Sequence, residues 1–183
     1  MAVRWFAILA TAFFVAVRPG LAAGSDGWQE LASRHAIVAY QRPADLVLFN
    51  RQIRFGPEPA MVDGNAEAVA AGVAEKMDAL FQRAQQILDM RGKIDKVIIR
   101  LYPDRQALNQ AYYSLFRAQC TFRAWYLYEK KTVYLNVTDV HAGMVAHEMG
   151  HHIIDHYFKI RPPAATAEIL ARYIDAHLFE KGR

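Results

Sequence analysis

The chain has 183 residues, 54% of them apolar and 22% charged, with 7 prolines and 10 glycines, a composition that excludes disordered, collagen-like and low-complexity proteins and points to one folded domain. The formal charge is +4, but setting aside the first 23 residues, which hold Arg4 and Arg18 and no acid, leaves 20 basic against 18 acidic residues, scattered singly or in pairs such as Lys130-Lys131. Without a basic block to track a phosphate backbone, nucleic-acid binding is disfavoured, and with Cys120 as the lone cysteine no internal disulfide can form.

Met1-Ala-Val-Arg4 is a short basic start, Trp5 to Val17 is an apolar run, and Leu21-Ala22-Ala23 places small residues before Gly24. That is the pattern of a secretory signal peptide spanning residues 1–23. The run is short against the roughly 20 residues a membrane-spanning helix needs, so an N-terminal anchor is the lesser alternative. The expectation is a mature domain of residues 24–183, exported to the periplasm or secreted, without stable membrane insertion.

Ala36-Ile37-Val38-Ala39-Tyr40 and Asp45-Leu46-Val47-Leu48-Phe49 read as short strands, separated by Arg42-Pro43. Past Phe55-Gly56-Pro57, Asp63 or Asn65 is placed to cap a long helix that reaches about Met90, with Val69, Val73, Met77, Leu80, Ala84 and Ile87 at helical spacing and Gly92 as its end. Lys96 to Tyr102 is a β-prone run stopped by Pro103, after which Asp104 caps a helix to about Arg117. Cys120 to Tyr128 and Thr132 to Val137 form a hairpin, and Cys120, beside Phe122 and Trp125, reads as a small buried hydrophobe. Thr138 or Asp139 caps the next helix, from Val140 to about Phe158, and Arg161-Pro162-Pro163 turns the chain into a last helix from Ala164 to about Glu180. Strands and helices in this order predict an α+β domain with its helices largely on one side of a sheet.

In the Val140 helix, His147 and His151 are four residues apart, so both imidazoles leave one face and can reach a single metal ion. Glu148 is rotated by roughly 100° from His147, which sets a carboxylate beside the ion, where a general base for a water molecule belongs. A third ligand is needed. Asp155 is too far along the helix axis to join the histidines and is better placed to orient His151, while His152 and His156 project to another face as surface or second-site groups. The turn at Pro162-Pro163 brings the last helix back, which makes Glu168 the best third ligand and Asp175, two turns on, the reserve. Tyr173 and His177 then point elsewhere.

His147-Glu148-Met149-Gly150-His151 followed by Glu168-Ile169-Leu170-Ala171-Arg172-Tyr173 resembles the gluzincin zinc metallopeptidases, in which two helix histidines and a downstream glutamate hold the metal. The likeness is closest to the compact minigluzincins and covers roughly the C-terminal half. Their glutamate helix often opens Glu-Gly-Leu-Ala-Glu-Tyr, whereas here Ile169 replaces the glycine and Arg172 the second glutamate. The metzincin pattern fails, since it needs glycine and histidine where this chain has Ile154 and Tyr157. The resemblance implies that residues 24–183 form one zincin-like metallopeptidase domain, a small mixed sheet with an active-site helix and a downstream glutamate helix. It further implies one Zn2+ held by His147, His151 and Glu168, Glu148 as general base, a peptide or protein substrate, and a hairpin strand along the cleft with Trp125 or Tyr126 lining it. Tyr126, Tyr157 and His141 are candidates to stabilise the oxyanion. The alternative is an inactive zinc-binding or envelope-associated interaction protein that keeps the fold.

Overall fold

The computed structural model describes residues 21–23, 27–55 and 65–180; most of the expected signal peptide lies outside them, and so does the candidate cap Asp63. Six strands form one mixed sheet: β1 (Leu21–Ala23), β2 (Gln29–Ala32), β3 (Ala36–Tyr40), β4 (Val97–Tyr102), β5 (Ala124–Leu127) and β6 (Thr132–Asn136), in the order β1-β2-β3-β4-β6-β5. The central pairs β3/β4 and β4/β6 are parallel and the outer pairs antiparallel, which leaves β5 at an edge. Among the described residues no helix is long and apolar enough to cross a membrane.

Side chains alternate across a strand, and here the two faces bury different material. Val97, Ile99 and Leu101 of β4, with Val133 and Leu135 of β6, enter the main core beneath α1 (Pro43–Gln52), α2 (Ala66–Leu88), α4 (Ala142–Tyr157) and α5 (Ala164–His177). On the opposite face Tyr134, Trp125 and Leu108 make a second, aromatic cluster under α3 (Arg105–Phe116), with Tyr134 and Trp125 stacked at 4.9 Å between ring centroids. The α+β architecture read from the sequence is the one observed. Cys120 is only partly buried, and its side chain packs against the aromatic cluster.

Asp45 to Phe49 departs from the expected strand and lies inside α1. Pro43 sits in the first turn of that helix, where its missing N–H costs nothing. Leu46, Phe49 and Ile53 are buried at spacings of three and four, so a helical face, not an alternating one, covers the core. The exposed Arg42 guanidinium adds two hydrogen bonds to the buried Asp45 carboxylate, at 3.0 and 2.6 Å. Asn65 caps α2 by accepting from the N–H groups of Glu67 and Ala68, and the helix ends at Asp89, in the left-handed conformation (φ 51°), ahead of the end expected at Gly92.

Candidate metal centre

The centre is built by α4 and α5. The α4 N-cap is His141, whose Nδ1 accepts from the Met144 N–H, in place of the expected Thr138 or Asp139. Thr138 instead donates through its N–H and hydroxyl to the Asn136 side chain, and Asp139 pairs with Arg123. Four residues after α4 ends, Arg161-Pro162-Pro163 starts the antiparallel return, and α5 closes on α4 at Gly150. A Cβ at Gly150 would collide with Cδ1 of the buried Ile174 and reach the Ala171 backbone at 3.8 Å, so the glycine inside the His-Glu-x-x-His segment leaves room for the Ile174 side chain between the two helices. The far end of α5 is held by Arg83 of α2, which donates to the carbonyls of His177, Leu178 and Glu180 at 2.9, 3.3 and 2.6 Å.

This packing brings His147, His151 and Glu168 together, with one candidate ligand atom from each lying within 4.8 Å of the other two. The two Nε2 atoms are 3.2 Å apart, and Glu168 Oε2 is 3.6 Å from Nε2 of His147 and 3.5 Å from Nε2 of His151. Tetrahedral coordination with bonds of about 2.0–2.2 Å places neighbouring donor atoms about 3.3–3.6 Å apart, so the spacing and the nitrogen and oxygen donors fit zinc. These three residues can hold a metal ion, as the sequence led one to expect.

Asp175, the reserve ligand, has a different place. Its Oδ2 lies 2.9 Å from His147 Nδ1. A carboxylate accepts, so the proton belongs on Nδ1 and the Nε2 lone pair is left facing the ligand cluster. Arg172 donates from Nε to Glu168 Oε1 at 2.7 Å and leaves Oε2 for the histidines. Desolvation opposes ionisation of Glu168, but Arg172, His147 and His151 outweigh it and hold the carboxyl below its usual range.

Glu148, on α4, lines the same cavity as Ala124, Trp125 and Tyr126 of the edge strand β5. Loss of hydration pushes its pKa up to about 7; the His147 charge pulls the other way, and Glu168 and Asp175 add to the rise. The same desolvation lowers His151, which favours the neutral imidazole a metal needs.

His152 is fully buried and not the surface group expected from helix periodicity. Its Nε2 donates to the Asp95 carbonyl at 2.8 Å, so Nδ1 accepts the Tyr126 hydroxyl at 3.1 Å. Tyr126 thus joins β5 to α4 through its hydroxyl. Asp155 is ion-paired with Arg161 at 2.8 Å, instead of serving His151, and Arg161 also lies over the Tyr128 ring. Of the candidate oxyanion donors, Tyr126 spends its hydroxyl on His152, Tyr157 packs beside Gly92, and His141 lines a cavity with His147 and Glu148. Tyr173 and His177 pack against one another with ring centroids 3.9 Å apart and belong to neither the ligand cluster nor the cavities beside it.

Two cavities meet at the centre. One of about 500 Å³ runs along Ala124, Trp125 and Tyr126 of β5 to Arg161 and Pro162, and another of about 480 Å³ lies between the start of α4 and the end of α5. No family model matches the chain, and no curated protein or solved structure matches it.

Proposed function

We propose that the protein is a zinc-dependent metallopeptidase of gluzincin type, with His147, His151 and Glu168 as ligands and Glu148 as general base. The observation that carries this reading is the convergence of three donor atoms at tetrahedral spacing beside a fourth group, the Glu148 carboxylate, that the ligand set does not need. A bound zinc ion supplies Lewis acidity toward a peptide carbonyl and toward water. Glu148 takes the proton of the attacking water as its oxygen bonds to the carbonyl carbon, then delivers that proton to the leaving nitrogen as the C–N bond breaks. A carboxyl that desolvation lifts to about 7 suits a group that must accept and then return a proton near neutrality. A divalent ion nearby draws it back toward the ionised form in which it begins. We infer from the N-terminal pattern that residues 1–23, which include the end strand β1, are removed on export, leaving a sheet of β2 to β6, and that the domain works in the periplasm or outside the cell.

The purified chain is expected to carry one zinc ion, bound much more weakly in Glu168→Ala, and to cleave members of a peptide library. Glu148→Gln is expected to keep the zinc and lose about 10²–10⁴ in rate. Zinc occupancy indifferent to Glu168, or undiminished cleavage by Glu148→Gln, overturns the assignment.

A further inference from the structure

Where a peptidase cuts depends on whether its cleft ends at the metal or passes it. An enzyme confined to chain ends must recognise a terminal charge: an ammonium needs an uncommitted carboxylate close to the ligands, and a terminal carboxylate needs an uncommitted cation. Either charge left unpaired in a partly dehydrated cleft is costly.

The cleft here passes the ligands. His147 and Glu148 line both cavities, one running along the edge strand β5 to Arg161 and the other bounded by His141, Met144, Asp175 and Phe179. Each is within the size range that encloses a ligand of a few residues, and both open to solvent. Among the described residues that line them, every acid and the one guanidinium have at least one partner or a role, and Oδ1 of Asp155, which has no hydrogen-bond partner, is itself buried. Arg161 is paired with Asp155 at 2.8 Å, Glu168 Oε1 with Arg172 at 2.7 Å, and Asp175 with His147 at 2.9 Å, while Glu148 is the proposed base. The second cavity adds the apolar side chains of Met144 and Phe179, which suit an uncharged side chain and not a chain terminus.

We propose that the centre is that of an endopeptidase, taking a polypeptide that continues on both sides of the scissile bond, with an apolar side chain entering the cavity walled by Met144 and Phe179. This rests on the peptidase reading above and narrows its substrate class.

The test uses the zinc-loaded chain and one apolar-containing decapeptide in four forms: both ends free, N-acetylated, C-amidated, and capped at both ends. Products are identified by mass spectrometry. Internal cleavage of the doubly capped form with kcat/KM within about threefold of the free form is expected. Cleavage that disappears when either end is capped, or products shortened by only one or two terminal residues, overturns the endopeptidase inference and leaves the peptidase standing. Failure to cleave any form while zinc is bound removes the peptidase reading and this one together. Binding of the same four peptides to zinc-loaded Glu148→Gln gives a readout free of turnover. The Kd values are expected to agree within about threefold, and a loss of about tenfold or more on capping either end counts against the proposal.

Discussion

At the scale of single residues, the ligand histidines are as notable for what stands behind them as for what they face. Asp175 fixes the tautomer and the ring direction of His147, so Asp175→Asn is expected to weaken zinc binding by about 10–100-fold. The carboxylate is 45% exposed and its removal leaves no buried group unpaired, so thermal stability of the metal-free protein should hardly move. Competition titration against a chromophoric chelator measures the first, and calorimetry with chelator present the second; unchanged zinc affinity would make the contact incidental. His152 offers a test by pH. Burial pulls it down to about 4, against an ordinary value near 6.5, so between those values the unfolded chain binds a proton that the folded chain refuses. Stability must therefore fall as pH drops from about 6.5 toward 4. In urea titrations of the metal-free protein, wild type should lose about 1–2 kcal/mol more than His152→Gln between pH 7 and pH 5. Equal losses would mean that the folded protein tolerates the charged imidazole. Helix periodicity gave the direction of His152 but not its environment, because the partner that buries it, Tyr126, arrives from a strand 26 residues earlier.

Elements were more legible than contacts. The long α2, the β4 strand, the hairpin, and the α4 and α5 pair all follow from period, caps and proline turns visible in the sequence. The α1 segment is ambiguous in the sequence because Leu46-Val47-Leu48-Phe49 is a short apolar run, and runs of that length do not separate strand from helix. Ile53, seven residues after Leu46, and Pro43 in the first turn held the signal that did. The positions of Glu148, His147 and His151 followed from helix geometry alone, whereas the nearness of Glu168 depended on how closely α5 could lie on α4. At Gly150 the absent side chain leaves the space that Ile174 of α5 fills. Gly150→Val is expected to cost about 1–3 kcal/mol by overpacking against Ile174 and to weaken zinc binding by displacing Glu168. Adding Ile174→Ala should restore much of the zinc affinity, because it vacates the volume the valine takes. A double variant as poor in zinc binding as the single one would show that Gly150 acts through something other than helix approach.

For the whole molecule, a metal held by two residues of α4 and one of α5 is a cross-link between the last two helices. It matters here because the lone cysteine leaves no disulfide to do that work. A ligand that binds only the folded state stabilises it by about 2.7 kcal/mol at a free concentration one hundred times its Kd. In a domain of this size each kcal/mol moves the melting temperature by about 2–4 °C, so saturating zinc should raise Tm by about 5–10 °C and excess chelator should reverse the shift. Glu168→Ala leaves two histidines on one helix, which can still bind zinc weakly but no longer join α4 to α5. Its Tm should respond to zinc by less than half as much as that of the wild type, while Glu148→Gln, which removes no ligand, should respond in full. A Glu168→Ala shift equal to that of the wild type would place the ion elsewhere on the fold.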